Sequence, residues 1–365
     1  MANLGISADG KAKLLACGAA SALVALAGKG VVKGSAGAAW EVARAMANLT
    51  ASADGQVKML ACGAAPALVA LAGEGVVKGS TGAAQYVAWA MGNLGLSSDG
   101  QSKLLVCGAA PALVALAGEG LVKGSASTAQ YVAWAMVSLG ASAYGQAKLL
   151  ACGAAPALVA LAGEGVVNGS AGAAEQVARA IAYLGISADG QAKLLACSAA
   201  PALVALACEG VVMRSAGAAE QVAWAIANFG ASADGCEALL ENGAASALVA
   251  LARKEAVRGS AGAAESVAKA VFNLSASADG QVKLFACGAA PALVELAGEG
   301  AVNGSAGAAQ HVARAIKRLC GLPAAKAELL ACGAAPALAA LAALPAVAAS
   351  PEAAEWVGRT LEWLQ

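Results

Sequence analysis

The residues of this chain best able to act as nucleophiles, general bases or metal ligands are ten cysteines and a single histidine, His311. No two cysteines have the paired Cys-x-x-Cys spacing of a zinc site. A Ser/His/Asp or Cys/His catalytic set would have to use His311, because the chain has no other histidine. We therefore predict that the protein is not an enzyme and binds no metal or cofactor.

Seven of the cysteines occupy the same position in a repeating unit, at Cys17, Cys62, Cys107, Cys152, Cys197, Cys287 and Cys332. Equivalent residues of stacked helical units lie roughly 8–10 Å apart, beyond the limit of about 7 Å between the Cα atoms of a disulfide. We expect buried free thiols and a reducing compartment, the cytoplasm with the nucleus as the alternative. Cys208, Cys236 and Cys320 lie outside this register, and one of them could be exposed.

The repeating unit is 45 residues long and recurs eight times without insertion or deletion. A fixed period of this size is typical of a solenoid, in which each unit buries its apolar face against its neighbours. We predict one continuous domain over residues 1–365. Its repeats start near Met1, Met46, Met91, Met136, Ile181, Ile226, Val271 and Ile316.

The unit from Ser187 to Gly230 predicts three helices, one short and two longer. Asp189 is expected to cap the first helix, and Pro201 to occupy the first position of the second. Ser215 is expected to cap a third helix that ends near Phe229, whose apolar residues recur at the i, i+4, i+7 spacing of one helix face. The segment between the second and third helices is predicted to be a loop.

The phrases CGAAPALVALAGEG and AAEQVARAIAYL resemble the second and third helices of armadillo repeats, and the likeness covers essentially the whole chain. The resemblance implies an all-α fold, a right-handed α-α superhelix of about eight armadillo-like repeats with three helices each. The extra residues of the 45-residue period fit the loop GEGVVKGS. HEAT repeats, built from two helices, are the nearest alternative, and the short segment before proline favours armadillo.

The third helices are expected to line a concave groove, because helices on the two sides of such a stack differ in spacing. Within one third helix, Tyr86, Trp89 and Asn93 share a face at spacings i, i+3, i+7. Tryptophan rings offer flat apolar walls, and an asparagine amide can pair with the peptide bonds of an extended ligand.

The pairs Trp89/Asn93 and Trp224/Asn228 match the Trp-x-x-x-Asn array by which nuclear-import armadillo adaptors hold peptides, and the resemblance implies that role for these four residues. Repeats with Arg44, Arg179 or Lys269 depart from the array. The predicted partner-binding residues are Tyr86, Trp89, Asn93, Tyr131, Trp134, Arg179, Trp224, Asn228, Lys269 and Asn273. A purely structural interpretation remains open, in which tryptophan covers neighbouring alanines and asparagine caps a helix end.

Charge is balanced overall, with 23 basic and 23 acidic residues, so neither nucleic acid nor an anionic membrane is expected as a partner. Along the predicted groove, Glu175, Glu220 and Glu265 are followed by His311, Arg314 and Arg318. A partner of mixed character is therefore expected.

An uncharged run over residues 124–147 contains Ser, Gln, Thr and Tyr, so no membrane span is predicted. The first repeat begins within a third helix, which predicts fraying or self-association through this uncapped N-terminal repeat. The sequence as a whole predicts a protein–protein interaction scaffold that binds an extended or partly helical protein segment. The alternative is a structural or self-assembling module whose groove holds no ligand.

Overall fold

The structure is a computed structural model that describes residues 7–364, except for the side chain of Leu121. The chain divides into two compact units at the boundary between Leu184 and Gly185. The predicted start of the first repeat at Met1, and with it the uncapped N-terminus, lies outside the described residues. Within residues 7–364 every regular element is a helix.

The first unit contains the helices α1 (Ala8–Ala16), α2 (Ala19–Ala27), α3 (Gly30–Lys33), α4 (Ala36–Thr50), α5 (Ala53–Ala61), α6 (Ala64–Gly73), α7 (Gly75–Lys78), α8 (Thr81–Leu94), α9 (Ser98–Val106), α10 (Ala109–Gly118), α11 (Gly120–Lys123), α12 (Ala126–Leu139), α13 (Ala143–Ala151), α14 (Ala154–Ala162), α15 (Gly165–Asn168) and α16 (Ala171–Leu184).

The second unit contains the helices α17 (Ala188–Ala196), α18 (Ala199–Cys208), α19 (Gly210–Met213), α20 (Ala216–Phe229), α21 (Ala233–Glu241), α22 (Ala244–Ala252), α23 (Glu255–Arg258), α24 (Ala261–Leu274), α25 (Ala278–Ala286), α26 (Ala289–Ala297), α27 (Gly300–Asn303), α28 (Ala306–Leu319), α29 (Pro323–Ala331), α30 (Ala334–Ala342), α31 (Pro345–Ala348) and α32 (Pro351–Leu364).

The three helices predicted for each repeat are present, which confirms an all-α solenoid. The predicted loop between the second and third helices differs from expectation, because it contains one additional helical turn of four residues. A valine of this turn, such as Val77 or Val167, is fully buried and anchors the turn to the core. We call the long final helices α4, α8, α12, α16, α20, α24, α28 and α32 the third helices.

The N-terminal starts of the first and second helices differ from the prediction in two details. Ser187, rather than Asp189, caps α17, because its side chain accepts a hydrogen bond from the Gly190 N–H. Asp189 lies in the first turn and pairs with Lys193 at 2.8 Å. Pro201 is the third residue of α18, not the first, a position where the missing N–H still removes no intrahelical bond.

The third helices pack side by side within each unit, α4 to α16 in order in the first and α20 to α32 in order in the second. Small residues allow their close approach, and the recurrent apolar residue near the middle of each helix fills the core. Met46, Met91, Ile226 and Ile316 are fully buried at this position. The predicted start of α20, with Ser215 as its cap, and the inward placement of Phe229 are both confirmed.

The cysteines are free thiols, as predicted, but the recurrent ones are not buried. They stand at the ends of the first helices, where Cys17 and Cys332 are exposed and the other five are half-buried. Among the cysteines outside the register, Cys208 is the exposed one, whereas Cys236 and Cys320 are buried. Burial raises the pKa of the Cys236 thiol, and it raises the pKa of the Cys320 thiol to about 11.

In the described part of the chain, no single helix has both the length and the apolar composition of a membrane span. Six pairs of consecutive first and second helices would together be long and apolar enough, by length and composition only. Each of these pairs is bent by more than 40° at the junction between its two helices.

Candidate functional site

Five aromatic side chains form a continuous row across three successive third helices of the first unit. We call Trp40 of α4, Tyr86 and Trp89 of α8, and Tyr131 and Trp134 of α12 the aromatic row. Neighbouring ring centroids lie 6.4, 5.7, 5.3 and 6.4 Å apart along the row. These are separations at which aromatic pairs attract each other. All five side chains are half-buried, so the row presents ring surface to solvent while its members hold one another in place.

Glycine creates the space for the last ring of the row. A Cβ atom added to Gly92 would lie 2.3 Å from Cζ3 of Trp134, so the indole lies directly against the backbone of α8. The other third helices carry Ala, Val, Phe, Lys or Glu at this register. The orientation of Trp134 therefore depends on a residue in the preceding repeat.

Asn93 lies beneath the row and is only 6% exposed. Its Nδ2 donates hydrogen bonds of 3.2 Å to the carbonyl oxygen of Ala47 and to Oγ1 of Thr50, both on α4. The sequence predicts ligand contact for this amide, whereas the structure uses its N–H groups to fasten α8 to α4. A buried amide needs such partners, because an unpaired polar group would be destabilising.

A shallow depression of about 250 Å³ opens beside the row and is lined by Trp89, Asn93, Gln130, Tyr131, Trp134 and Gln176. Its far wall is Gln176 of α16, whose Nε2 donates to Glu175 at 3.2 Å. The Oε1 atom of Gln176 is buried and accepts no hydrogen bond from the described residues. Arg179, one turn further along α16, lies over the ring of Tyr183 at 5.8 Å rather than in the depression.

In the second unit, the structure brings together three of the predicted residues, Asn228, Lys269 and Asn273. They line a depression of about 360 Å³ together with Gly185, Ile186, Ala188, Gln191, Ala227, Ala231 and Ser232. Asn273 repeats the arrangement of Asn93, since its Nδ2 donates to the carbonyl oxygen of Ala227 at 2.7 Å. Trp224 is half-buried on α20 and is not part of this lining.

A second cluster on the third helices of the second unit combines cations with aromatic rings. We call Arg314, Lys317 and Arg318 of α28 the cation cluster. Both guanidinium carbons lie 4.4 Å from the ring centroid of Phe272 on α24. Arg314 also lies over Trp356 of α32 at 5.1 Å, and Lys317 over the same ring at 5.3 Å.

The sequence reveals the two arginines of this cluster but not the rings beneath them. Phe272 occupies the register at which earlier repeats have Ala47, Gly92, Val137, Ala182 and Ala227. A large ring at a position of mostly small residues is the signal that could have revealed the cluster. Trp40 was likewise missed for the aromatic row, because the corresponding residues of the next two repeats are Gln85 and Gln130.

His311 does not assemble a catalytic group in the described structure. Its Nδ1 lies 2.9 Å from the carbonyl oxygen of Gly307 and 3.8 Å from a carboxylate oxygen of Glu265. Across residues 7–364, no three His, Cys, Asp or Glu side chains converge as a metal site would require. In each unit the third helices instead present rings, amides or cations at their surface, and we call this the third-helix surface of that unit.

No protein-family model matches the sequence, and a search of curated proteins gave no significant match. Among solved structures, the chain is similar to an engineered protein at 17% identity and a TM-score of 0.74, covering 100% of this chain and 93% of that one. It is also similar to a designed armadillo repeat protein in complex with the peptide (KR)4. There the identity is 20% and the TM-score 0.56, with coverage of 70% of this chain and 98% of that one.

A third similar structure comes from work on a phosphorylation switch that controls the interaction between cadherin and beta-catenin. It has 16% identity and a TM-score of 0.69, and the match covers 94% of this chain and 60% of that one. At such identities the similarity is one of fold. The chain has an armadillo-like repeat fold, which confirms the prediction from sequence.

Proposed function

We propose that the protein is an interaction scaffold that binds an extended or partly helical segment of another protein along the third-helix surface. The observation that carries this proposal is the aromatic row, whose five half-exposed rings run without a gap across α4, α8 and α12. Aromatic side chains supply large contact areas at a small loss of conformational entropy, and they dominate the binding energy of many interfaces.

Amide groups beside the row supply the polar contacts that an extended chain needs. The unpartnered Oε1 of Gln176 is an acceptor for a ligand N–H, and the Gln130 side chain lines the same depression. Peptide backbones present N–H and C=O groups that such amides satisfy. In this proposal Asn93 acts by positioning α8, and Asn228 remains a predicted ligand contact.

Similar structures are consistent with this function. One is the designed armadillo repeat protein in complex with the peptide (KR)4, and another comes from work on computationally designed armadillo repeat proteins for modular peptide recognition. At identities of 20% and 22%, these structures show a similar fold but assign no role to individual residues of this chain. The proposal of a ligand for this chain therefore rests on the side chains that its own surface presents.

The test begins with selection of a peptide from a displayed random library against the wild-type protein. Its affinity is then measured by fluorescence anisotropy for a Trp89→Ala/Trp134→Ala variant. Loss of two aromatic anchors should weaken binding at least about tenfold, since such anchors commonly contribute 1–2 kcal/mol or more each. The matched control is Tyr144→Ala, which removes an aromatic residue 54% exposed on the first helix α13.

Circular dichroism establishes that both variants keep the helical content of the wild type. Unchanged affinity in the double variant, or an equal loss in Tyr144→Ala, would remove the third-helix surface as the binding site.

Exposed apolar residues on the first helices favour one second candidate, a module that assembles with copies of itself. Val57 of α5 and Val106 of α9 are 67% and 79% exposed. Exposed apolar side chains provide association sites when copies of a protein bury them together. Light scattering over a dilution series tests this function: concentration-dependent assembly that Val57→Lys/Val106→Lys abolishes would support it, and a monomer at all concentrations would exclude it.

A further inference from the structure

Eleven of the 23 lysines and arginines form an ion pair with a carboxylate of the described chain, and these pairs follow the repeat. On the first helices, a lysine pairs with the aspartate one turn earlier, as Lys58 does with Asp54 and Lys283 with Asp279. Between repeats, Lys33 pairs with Glu74 at 2.9 Å, and the same pairing recurs further along the chain. Charges on these surfaces are therefore compensated within the protein.

The cation cluster departs from this arrangement. None of Arg314, Lys317 and Arg318 forms an ion pair with a carboxylate of the described residues, and all three are half-buried. The Nε atom of Arg314 is buried and donates no hydrogen bond within the same part of the chain. Three partly desolvated positive charges on neighbouring turns repel one another, and the rings of Phe272 and Trp356 offset this repulsion only in part.

Residues at matching positions of other repeats show what the cluster lacks. Arg44 occupies the same register as Arg314 and pairs with Glu41 at 2.9 Å. In the last repeat, Arg359 pairs with Glu355 at 2.7 Å. The residues corresponding to these two glutamates on α28 are His311 and Gln310, neither of which is a carboxylate.

Nearby carboxylates are also directed elsewhere. Glu352 of α32 accepts a hydrogen bond from Gln310 at 2.7 Å. The Glu265 side chain rests against the first turn of α28, because a Cβ placed on Gly307 would lie 2.5 Å from one of its carboxylate oxygens. The cation cluster is therefore left as an uncompensated positive surface held in a fixed arrangement by two rings.

We propose that the cation cluster receives the carboxylate side chains of an acidic segment in a partner protein, a step that rests on the proposed scaffold function. Guanidinium groups held flat against rings keep their forked N–H donors in a defined orientation, which suits carboxylates. The segment supplies to α28 the negative charge that glutamates supply to Arg44 and Arg359. The aromatic row of the first unit and the cation cluster of the second unit differ in the ligand chemistry that each recognises.

The test uses fluorescein-labelled peptides of about ten residues, long enough to cross three third helices at roughly 8–10 Å per helix and 3.3 Å per extended residue. Three peptides share one sequence in which alternate residues are Glu, Gln or Lys. Anisotropy titrations with the full chain should give an affinity for the Glu peptide at least about tenfold higher than for the Gln peptide. The preference should shrink as salt rises, because the contacts are ionic.

The decisive variant is Lys317→Gln/Arg318→Gln, which should remove the preference for the Glu peptide. Its matched control is Lys193→Gln/Lys283→Gln, which removes two positive charges from first helices of the same unit and should preserve the preference. Equal loss in the control, or equal affinity for the Glu and Gln peptides, would overturn the acidic-segment assignment while leaving peptide binding intact.

Failure of all three peptides and of library-selected peptides would instead count against the proposed function itself. Binding of a phosphopeptide or of single-stranded RNA without binding of the Glu peptide would overturn the assignment in favour of that class of ligand.

Discussion

The side-chain amide of Asn93 donates a hydrogen bond of 3.2 Å to the backbone carbonyl oxygen of Ala47, one repeat earlier. Asn273 makes the corresponding bond to Ala227 at 2.7 Å in the second unit. Each carbonyl belongs to the last turn of a third helix, so the asparagine reaches from one third helix to the end of another. The same residue type that the sequence suggests for peptide contact thus joins adjacent repeats.

Replacing Asn93 by alanine should destabilise the protein. The change removes both donated bonds and leaves the buried Oγ1 of Thr50 and the Ala47 carbonyl with fewer partners, which lowers the free energy of unfolding by about 1–3 kcal/mol. Urea unfolding followed by circular dichroism measures the loss. Asn242→Ala is the control, because the exposed Asn242 amide only bonds Ala238 in its own helix.

A loss in Asn93→Ala no larger than that in Asn242→Ala would mean that the interhelical bond contributes little to stability.

Ser198 is the one non-glycine residue with a positive φ in the described chain, at 65°. Glycine occupies the corresponding position of the other described repeats, with φ between 76° and 87°. A left-handed conformation at an L-residue costs about 1–2 kcal/mol, and glycine avoids that strain. Ser198→Gly should therefore raise the free energy of unfolding by about 1 kcal/mol, measured by urea unfolding.

The reciprocal change, Gly153→Ser, should lower stability by a similar amount. Opposite signs for the two substitutions are the expected result, and equal signs would contradict the conformational argument.

The helices and their register were predictable from the sequence, because capping and apolar periodicity act within a few residues. Ser215, as the cap of α20, and Phe229, as a core residue, follow from such local rules. The sequence predicts Asp189 as the cap of α17 and the structure has Ser187, because both residue types accept the same hydrogen bond and only backbone geometry decides between them. The additional turn after each second helix has too few residues to give a periodic signal.

The binding surface was predictable only in part. The spacing of Tyr86 and Trp89 places both on one helix face, but ring contacts with another repeat depend on side-chain direction. Phe272 reaches two arginines of α28, forty or more positions later, and no pattern within one helix specifies that contact. Burial of Asn93 was missed for the same reason, because its partners lie on α4.

Glycine in the first helices permits a close approach that no other residue allows. A Cβ on Gly55 would lie 1.8 Å from the carbonyl oxygen of Leu49, and backbone cannot move away cheaply. Gly55→Ala should lower the free energy of unfolding by about 2–3 kcal/mol through overpacking. Gly73→Ala is the matched control, since a Cβ there meets nothing within 4 Å and the change should be neutral or slightly stabilising.

Thermal unfolding of the two variants separates the steric effect from the general effect of adding a methyl group to a helix. Similar stability of Gly55→Ala and the wild type would contradict the close approach.

The buried thiol of Cys320 is expected to make the free energy of unfolding depend on pH in the alkaline range. Burial raises the pKa of its thiol from the ordinary 9.0 to about 11, so the folded state favours the protonated thiol. The stabilisation is complete below pH 9 and is lost as the pH rises towards 11. The stability of the wild type relative to Cys320→Ala should therefore fall between about pH 8 and about pH 10.5.

Urea unfolding of both proteins in reducing buffer at the two pH values measures this difference. Both proteins contain the same lysines and tyrosines, so the effect of their titration cancels when the two free energies of unfolding are subtracted. A difference between the proteins that does not change with pH would contradict a raised thiol pKa.

Gly92→Ala should move the Trp134 ring without unfolding the protein. The added Cβ would lie 2.3 Å from Cζ3 of Trp134. The indole ring can rotate away, whereas the α8 backbone is held by the hydrogen bonds of its helix, so the ring is expected to move. Rotation would break the contact of Trp134 with Tyr131, now 6.4 Å between centroids, and change the near-ultraviolet circular dichroism.

The same substitution in a Trp134→Ala background has no ring to displace, so the spectral change should disappear there. A peptide selected on the wild type should also bind Gly92→Ala more weakly, because the end of the aromatic row has moved. Retention of the spectral change in the Trp134→Ala background would show that Gly92 acts on the helix itself. The aromatic row would then owe its geometry to contacts other than the one between Gly92 and Trp134.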